Sequence, residues 1–314
     1  LMPQMLVSSI HDEAKHIKTF ELVDPESAEL QAFSAGSHIE IELPDNIRRH
    51  YSLCNDPSET HRYLIAVLQE KESRGGSQSL HYGVKEGDLL EVSMPKNNFP
   101  LDQRGMHFIL IAGGIGITPL LSMAYKLKTL RKSFELHMCA RSHEYAPFKK
   151  ELEGFGGLAK THMHISDGDP SQRLDVSSLL KQPLPESLVY CCGPQSLMDA
   201  VGQATSDWGA KKIHFETFTP RTLDGSDLPF HIKIASTGQS FHVNSTTTIL
   251  EALHQNGIRH PFSCEVGLCR TCVTGYQAGD VEHLDQDALS NEERKGCLTI
   301  CVSRCTSDEL ILDL

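Results

Sequence analysis

The sequence lacks any apolar run long enough to cross a bilayer, and it is poor in aromatic residues. A transmembrane helix needs about 20 consecutive apolar residues. Aromatic side chains make up only 6% of the 314 residues, with a single Trp. Residues 1–5 lack the charged and apolar segments of a secretion signal. We therefore expect a globular protein that is neither membrane-spanning nor secreted.

Positive charge is also scarce. The chain carries 29 Lys and Arg against 41 Asp and Glu, which gives a formal net charge of -12. A protein that binds a nucleic-acid backbone needs a basic face, so this charge argues against nucleic acid as a partner. The apolar and charged fractions, 39% and 22%, are ordinary for a globular chain, and its length suffices for two or three domains.

Cysteine, by contrast, is abundant. Ten cysteines without a secretion signal indicate a reducing cytoplasm and metal ligation for some of the thiols. Four of them lie in apolar, strand-like surroundings, where the default is a small buried hydrophobe. These four are Cys54, Cys139, Cys191 and Cys192.

Three further cysteines have the spacing of an iron-sulfur site. Cys264, Cys269 and Cys272 form a C-x4-C-x2-C motif with more cysteines downstream. This is the spacing of the plant-type 2Fe-2S cluster, in which four thiolates converge on two irons. Gly267 suits the tight loop, since glycine adopts positive φ without a Cβ clash.

Two other kinds of cysteine site compete with the cluster. A four-cysteine zinc site usually has two C-x2-C pairs, whereas only Cys269 and Cys272 form one here. A disulfide framework is typical of short secreted chains. The fourth ligand is open on spacing alone, because three cysteines share the terminal segment. These are Cys297, Cys301 and Cys305.

The first hundred residues have the alternating pattern of short strands, as in residues 38–43 and 88–92, and predict a barrel or sandwich. Two short polar motifs lie within them. The motifs contain Arg49, Tyr51 and Ser52, and then Arg74, Gly75, Gly76 and Ser77.

These motifs predict a site for an aromatic ring that bears a phosphate. Arg49 and Arg74 would pair with the phosphate, backbone N-H groups near Ser77 would cradle it, and Tyr51 would pack along the ring. The plain alternative is a polar strand followed by an ordinary Gly-Gly turn, because motifs this short recur by chance.

The middle third has the alternation of an α/β domain. Residues 107–112 predict a buried strand and residues 120–130 a helix. The turn between them contains Gly113, Gly114, Gly116, Thr118 and Pro119. A strand, Gly-rich turn and helix can meet a dinucleotide pyrophosphate, although Pro119 replaces the third glycine of the usual fingerprint and a tight structural connection remains the alternative.

Four further strands are predicted, with helices between most of them, which favours a parallel sheet with crossover helices. They span residues 134–140, 161–166, 187–192 and 211–216. Cys192 ends the third of these strands, and Gly193 and Pro194 follow it. We expect this turn to share a rim of the sheet with the Gly-rich turn, because ligands of open α/β sheets bind beyond the carboxyl ends of the strands.

The last third follows a polar linker at residues 219–227. Residues 230–235 and 240–243 predict a hairpin, and residues 248–256 predict a helix closed by Gly257.

In this order, the motifs R-x-Y-S, G-G-x-G-x-T-P with C-G-P, and C-x4-C-x2-C resemble the phthalate dioxygenase reductase type of the ferredoxin-NADP reductase superfamily. The chain is also similar to the reductases of related Rieske oxygenases. The resemblance spans nearly the whole chain. It implies a multidomain α+β and α/β fold: a flavin-binding antiparallel β-barrel in residues 1–103, a nicotinamide-binding parallel α/β sheet in residues 104–222, and a C-terminal β-grasp, plant-type 2Fe-2S ferredoxin in residues 223–314.

The resemblance also implies roles for individual residues. Arg49, Tyr51 and Ser52 would contact the flavin, and Gly75, Gly76 and Ser77 match the second flavin loop. Gly113, Gly114, Gly116 and Thr118 would meet the nicotinamide nucleotide, while Cys192, Gly193 and Pro194 would line the nicotinamide side.

Residues 214–218 resemble the segment whose carboxylate and aromatic side chain, here Phe218, approach the flavin. Residues 298–301 resemble the segment that supplies the last cluster ligand, which favours Cys301. His50 departs from the family pattern and puts the local hydrogen bonding in doubt.

The implied function is the reductase component of a Rieske-type oxygenase system. It would take hydride from NADH onto FMN and pass single electrons through the 2Fe-2S cluster to a terminal oxygenase. FMN is favoured over FAD because the resembling reductases use FMN. NADH is favoured over NADPH because residues 141–144 contain an acid as well as a base. No acid-base residue is expected, since the protein's task is positioning and redox tuning.

Two other function classes remain open: a redox sensor without turnover and a zinc-bearing interaction protein. Acidic residues in the last third also predict either a docking face for an oxygenase or an ordinary solvated face. These are Glu282, Asp285, Asp287, Glu292 and Glu293.

Overall fold

The computed structural model of the chain forms two compact units, Leu1–Thr217 and Phe218–Leu314. It describes residues 2–43, 47–70, 75–157, 159–182, 185–209, 212–218, 223, 225–262, 264–286 and 288–314. No helix within these ranges combines the length and apolar character that a bilayer crossing needs.

The strands of the first unit are β1 (Gln4–Ala14), β2 (Ile17–Val23), β3 (Ser37–Leu43), β4 (Ile47–Ser52), β5 (Tyr63–Leu68), β6 (Leu89–Val92), β7 (Lys96–Asn97), β8 (His107–Gly113), β9 (Ser133–Ala140), β10 (Ala159–Ile165), β11 (Ser187–Cys192) and β12 (Ile213–Glu216). Its helices are α1 (Gly76–Gln78), which runs into a π-helical turn (Ser79–Gly83), α2 (Ile117–Thr129), α3 (Lys149–Glu153), α4 (Val176–Leu179) and α5 (Gln195–Ala204). Single 3-10 turns lie at Gly114–Gly116, His143–Tyr145 and Pro170–Gln172.

The second unit contains β13 (Phe230–Ile234), β14 (Ser240–Val243), α6 (Ile249–Gln255), β15 (Val273–Ala278), β16 (Val281–Glu282), β17 (Cys297–Thr299), β18 (Arg304–Cys305) and β19 (Glu309–Leu312). A 3-10 turn lies at Glu293–Lys295.

The first sheet is an antiparallel barrel with the strand order β4-β3-β6-β1-β2-β5, and β7 pairs with β3. A bridge between Leu53 and Ile65 connects the two ends of this order and closes the barrel. Alternation along β3 turns Ile39 and Ile41 into the core, where neither is exposed. The predicted all-β character of the first hundred residues is confirmed.

The second sheet is parallel throughout, with the order β10-β9-β8-β11-β12. β11 is buried along its whole length, because helices cover both faces of such a sheet. α2 begins at Ile117, three residues before the predicted start, because the 3-10 turn of the glycine segment leads directly into it. Cys191 and Cys192 are fully buried, as is Cys54 in the barrel part of this unit.

One apolar cluster spans the barrel and the parallel sheet, which belong to a single compact unit. Ile17 and Ala66 of the barrel belong to the same cluster as Met123 of α2. A Cβ at Gly36 would overlap the Phe99 carbonyl and lie 3.1 Å from the Met123 Cε. The predicted domain boundary at residue 103 falls on an exposed turn between β7 and β8, within this first unit, and stays a prediction.

The second unit has the β-grasp arrangement. Its sheet has the order β14-β13-β19-β15-β17, with β13 and β19 parallel, and β16 pairs with β18. α6 begins at a capping box in which the Thr248 hydroxyl accepts from the Glu251 N-H and the Glu251 carboxylate accepts from the Thr248 N-H. Arg304 is buried and donates to the carbonyls of Thr247 and Leu228. These contacts hold the chain segments around the sheet.

Candidate functional site

The first predicted motif lies on β4, where successive side chains alternate between the two faces of the strand. Ser52 is buried, whereas Arg49 and Tyr51 are half-buried. A Cβ at Gly76 would lie 2.6 Å from the Cγ of Arg49, so the second motif packs directly against the first. Only a glycine permits this approach without displacing the arginine. Arg74, the other predicted phosphate ligand, lies outside the described residues.

The neighbouring residues of the second motif, Gly75 and Ser77, stabilise the local backbone conformation. Gly75 has a φ of 91°, which favours glycine, and stands immediately before α1. The Ser77 hydroxyl accepts from the Glu70 N-H at 3.2 Å. The structure therefore brings residues of both predicted motifs together on one side of the barrel.

Ser52 meets a carboxyl group from the parallel sheet. Glu216, the last residue of β12, is 2% exposed, and its carboxyl accepts a hydrogen bond from the Ser52 hydroxyl. Burial raises the pKa of Glu216 to about 8, against smaller opposing effects of Ser52 and the nearby His50. The carboxyl therefore keeps its proton near neutral pH, where an ordinary glutamate side chain is ionised.

His50 itself is held by a second carboxyl. Its Nε2 lies 3.1 Å from the Oε2 of Glu40 on β3, and its ring contacts that of His38 at 5.0 Å between centroids. The His50 side chain, which departs from the family pattern, is thus accommodated by a contact with Glu40 across β3 and β4.

The two predicted turns of the parallel sheet meet at one rim. A Cβ at Gly116 would overlap the carbonyl of Cys192, and the Cα of Gly193 would lie 3.2 Å from a Cβ at Gly113. This contact follows from the order of the strands, because β8 and β11 are neighbours and both end here. The expectation of a shared rim is confirmed.

The remaining residues of these turns shape the rim. Gly114 has a φ of 55°, and the Thr118 hydroxyl donates to the Ile115 carbonyl at 3.0 Å. Pro194 packs its ring close to Gly113. The buried Thr118 side chain thus closes the turn at the start of α2.

Cys192 lies at this rim and also neighbours Glu216, the residue that contacts Ser52 of the barrel. Burial first, and the neighbouring Glu216 second, raise the pKa of the Cys192 thiol well above its ordinary value. Ser52, Cys192 and Glu216 therefore place a hydroxyl, a neutral thiol and a protonated carboxyl in one buried region between the two sheets of this unit. Such a region offers polar contacts without a fixed charge.

The four predicted cluster cysteines come together in two pairs in the second unit. The Sγ atoms of Cys272 and Cys301 lie 3.2 Å apart. Cys264 and Cys269 form the other pair, in which their thiols hydrogen-bond each other. Two pairs of thiols match the need of two irons for two protein ligands each.

The loop that carries three of these cysteines has an unusual backbone. Glu265, Gly267 and Arg270 all have positive φ, at 57°, 71° and 67°. A Cβ at Gly267 would lie 2.6 Å from the Cγ2 of Val302 and 2.9 Å from the Asp285 Cα. Gly267 is thus required by both its conformation and its surroundings.

This backbone aims N-H groups at sulfur. The N-H groups of Leu268 and Cys269 donate to the Cys264 Sγ, at 3.4 and 3.3 Å from nitrogen to sulfur, and the Cys264 N-H donates to the Cys269 Sγ at 3.5 Å. Hydrogen bonds to cluster sulfurs tune the reduction potential. The donor set and the loop therefore fit a 2Fe-2S cluster.

The other two terminal cysteines are placed differently. Cys297 begins β17 and pairs through its backbone with Gly275, whereas the Cys305 thiol lies 3.2 Å from the Ser307 hydroxyl. Of the three candidates for the fourth position, Cys301 is the one whose sulfur meets another cysteine of the motif.

The predicted acidic face is mostly engaged within the second unit. The Asp285 side chain is fully buried and paired with Arg294, and Glu293 pairs with Arg270. Glu292 pairs with Lys295. Asp287 lies outside the described residues. Phe218, the predicted aromatic partner of the flavin, begins the second unit with 39% of its surface exposed.

Comparison with known proteins identifies this arrangement. Residues 232–306 match the family model for the 2Fe-2S iron-sulfur cluster binding domain. The chain is 41% identical over 313 residues to the phthalate dioxygenase reductase of Burkholderia cepacia, with 99% of this chain and 97% of the relative covered. The chain belongs to the phthalate dioxygenase reductase family. As a member of this family it is an oxidoreductase, and its 2Fe-2S domain is the second unit.

Two further comparisons support membership of the phthalate dioxygenase reductase family. The chain is 42% identical over 311 residues to the reductase subunit of the tert-butanol monooxygenase / tert-amyl alcohol desaturase of Aquincola tertiaricarbonis, with 95% of this chain and 92% of the relative covered. A solved phthalate dioxygenase reductase, described as a modular structure for electron transfer from pyridine nucleotides to 2Fe-2S, matches with a TM-score of 0.76 at 41% identity. That match covers 100% of this chain and 98% of the solved chain, and it confirms the predicted fold class.

Glu216 was reached from the sequence only through the family resemblance, as the carboxylate of residues 214–218. The segment around it was recognised only by resemblance, and a single acid at a strand end carries no distinctive spacing. Its contact with Ser52 depends on packing between two sheets, which no local pattern encodes.

Proposed function

We propose that this chain is the reductase component of a Rieske-type oxygenase system, taking electrons from NADH through FMN and a 2Fe-2S cluster to a terminal oxygenase. The observation that carries the proposal is the meeting of Ser52, Cys192 and Glu216 beside two glycine turns, in a chain that also holds four paired cysteines. The named relatives include a reductase subunit of a phthalate 4,5-dioxygenase from Pseudomonas putida, which favours an oxygenase partner. Ten cysteines favour a reducing compartment, the cytoplasm, as the place of action.

The chemistry that these groups supply when bound is two-electron acceptance from NADH by FMN and one-electron transfer by the cluster. The residues of the first unit position the reactants. In the proposal, Arg49 pairs with the FMN phosphate, and Arg74 assists it. Gly75, Gly76 and Ser77 supply backbone N-H groups to the same phosphate. Tyr51 would pack along the flavin ring, and Phe218, which the family resemblance assigns to the flavin, stays a prediction.

The buried polar groups would lie where hydride passes. With FMN bound, the Ser52 hydroxyl would donate at the ring edge in place of its hydrogen bond to Glu216, and the protonated Glu216 carboxyl would adjoin it without adding negative charge near neutral pH. The neutral Cys192 thiol, with Gly193 and Pro194, lines the nicotinamide side. Gly113, Gly114, Gly116 and Thr118 shape the turn that meets the nucleotide phosphates.

The preference for NADH over NADPH rests on the segment after β9. Glu144 pairs with Lys15 at 2.8 Å, and the guanidinium of Arg141 stacks 3.5 Å above the ring of Tyr145. The carboxylate opposes a 2'-phosphate, and both of these cations already have a partner. We expect kcat/KM to be at least tenfold higher for NADH than for NADPH, about 1.4 kcal/mol in transition-state stabilisation. Equal values for the two nucleotides would remove this part of the proposal.

The exit of electrons through the second unit is tested by the substitution Cys269→Ser. Cys264 and Cys269 would hold one iron and Cys272 and Cys301 the other, so loss of one thiolate should prevent stable cluster binding. We expect flavin reduction by NADH, followed by stopped-flow absorbance, to keep its rate. Reduction of cytochrome c, a one-electron acceptor, should fall to the background rate.

Cys297→Ser is the matched control, because Cys297 lies on β17 in the same unit but outside both sulfur pairs. It should leave both reactions unchanged. Cytochrome c reduction at the normal rate in Cys269→Ser would show that the cluster is not the exit.

A further inference from the structure

A group of side chains on β9 and β10 has no place in the proposed electron path. The two strands are parallel neighbours at one end of the sheet, with His162 opposite His137 and Lys160 opposite Glu135. Strand alternation puts Glu135 and His137 on the face opposite to the buried Leu136. The register therefore gathers a carboxylate and imidazoles on one face.

The ligating atoms of this group are close together. One ligand atom from each of Glu135, His137 and His162 lies within 4.8 Å of the other two. The Nε2 of His137 is 3.7 Å from the Oε2 of Glu135. Ligand atoms of a tetrahedral zinc lie about 3.4 Å apart when its bonds are about 2.0–2.1 Å. The exposed His162 side chain can close most of the remaining gap.

His137 is oriented as metal-binding histidines are. It is 4% exposed, and its Nε2 is buried without a hydrogen-bond partner among the described residues. Its Nδ1 lies 3.1 Å from the Nε2 of His164, which holds that side of the ring. A ligating histidine usually has its other nitrogen engaged in this way, and the bond fixes which nitrogen faces the metal.

The rings are stacked in this structure, so His162 would turn out of the stack to direct a ring nitrogen at an ion held by Glu135 and His137. The centroids of His137 and His162 lie 4.7 Å apart at 14°, and those of His137 and His164 lie 5.3 Å apart at 20°. Lys160 is a cation close to the group, since its Nζ lies 3.1 Å from the Oε1 of Glu135. It contacts the oxygen that faces away from His137, and 70% of its side chain is exposed, so it lowers the affinity for a cation without blocking the site.

We propose that Glu135, His137 and His162 form a site for a divalent transition-metal ion of the zinc class, with His164 as a positioning residue. Two imidazoles and one carboxylate are a donor set that zinc takes when it keeps a further position for water. The exposed His162 provides the entry path. The ion would join β9 to β10 in the sheet that carries the nucleotide rim.

The test is zinc binding by the untagged protein with its cluster loaded. Equilibrium dialysis with metal analysis measures the zinc retained, and the visible absorbance of the cluster monitors the cysteines. We expect each His162→Gln chain to bind about one zinc ion fewer than each chain of the unchanged protein. His164→Phe keeps a stacked ring but removes the acceptor of the His137 Nδ1-H, so it should weaken binding by about 10- to 100-fold.

His242→Gln is the matched control. His231 and His242 also form a cross-strand pair, with ring centroids 5.1 Å apart, but both are exposed on a different sheet. This substitution should leave the high-affinity zinc in place. Equal zinc retention by the unchanged protein and His162→Gln would overturn the proposal.

X-ray absorption at the zinc edge separates this site from metal exchange at the cysteines. Nitrogen and oxygen neighbours at about 2.0–2.2 Å are expected. Sulfur neighbours at about 2.3 Å would place the zinc in the cysteine loop and overturn the assignment. Thermal unfolding provides a second readout, because zinc that binds the folded sheet should raise the Tm of the unchanged protein more than that of His162→Gln.

Discussion

Individual residues at the candidate site combine polar chemistry with burial. Glu216 is the clearest case, because its carboxyl is almost fully enclosed and meets Ser52 while one oxygen has no partner among the described residues. An unpaired buried carboxylate is costly, so the group keeps its proton instead. The site thereby remains uncharged while it retains hydrogen-bonding capacity.

The raised pKa of Glu216 predicts a pH dependence of stability. Its folded pKa is about 8 and its ordinary value is 4.5, so the folded state binds the extra proton between these values. Stability from this group is fully present below the lower value and is lost as pH rises through the upper one, by about 1.4 kcal/mol per pH unit. Glu216→Gln should remove this loss, so its Tm should exceed that of the unchanged flavin-free protein increasingly as pH rises.

Calorimetric unfolding across this range measures the difference. Glu153→Gln, which alters an exposed carboxyl on α3, is the control and should follow the unchanged protein. A constant difference in Tm between Glu216→Gln and the unchanged protein at every pH would contradict a raised pKa.

Among the elements, the turn from β8 to α2 depends most on the absence of side chains. Its backbone lies against the turn that follows β11, and the two contact each other at Gly113 and Gly193 and again at Gly116 and Cys192. The parallel order of the strands brings these turns together, and the glycines let the two backbones approach.

Gly116→Ala is predicted to separate the two turns. The new Cβ would overlap the Cys192 carbonyl and lie 2.9 Å from the Gly193 nitrogen, so backbone must move. We expect a loss of about 1–3 kcal/mol in the free energy of unfolding, together with a higher KM for NADH.

The same substitution in α5 is the control. Gly202→Ala places its Cβ 3.9 Å from the nearest side-chain atom, on Phe215, and should stabilise the helix by about 0.5–1 kcal/mol. Chemical unfolding and steady-state kinetics compare the two. Normal stability and KM in Gly116→Ala would refute the close-approach argument.

At the scale of the whole molecule, the chain divides into two units with separate apolar cores. The core of the second unit includes Ile232, Leu253 and Leu310, together with the cluster cysteines Cys272 and Cys301. The barrel and the parallel sheet, by contrast, share one apolar cluster and contribute jointly to the site of Ser52 and Glu216. The residues proposed for the flavin and the nucleotide therefore lie in the first unit, apart from Phe218, and the cluster cysteines lie in the second.

Separate expression of the two parts tests this division. Residues 223–314 alone should load a cluster with the absorbance seen in the full chain. Residues 1–222 alone should bind FMN and accept hydride from NADH but should not reduce cytochrome c above the background rate. Failure of residues 223–314 to load a cluster would show that the second unit depends on the first.

Some of this architecture follows from short stretches of sequence. The cysteine spacing and Gly267 specify the cluster loop, because φ preferences and ligand spacing act between near neighbours. Alternation predicted strands such as β3, and glycine and proline marked the turn before α2. These features depend on local conformation, so the order of residues determined them.

Other features were decided only by tertiary structure. The pairing of Cys301 with Cys272, the contact of Glu216 with Ser52 and the gathering of His137 with His162 all join distant segments. Strand order, register and packing between sheets set these contacts, and all three depend on interactions between residues far apart in the chain. The sequence by itself therefore determined which chemistries were available, whereas the fold decided which side chains meet.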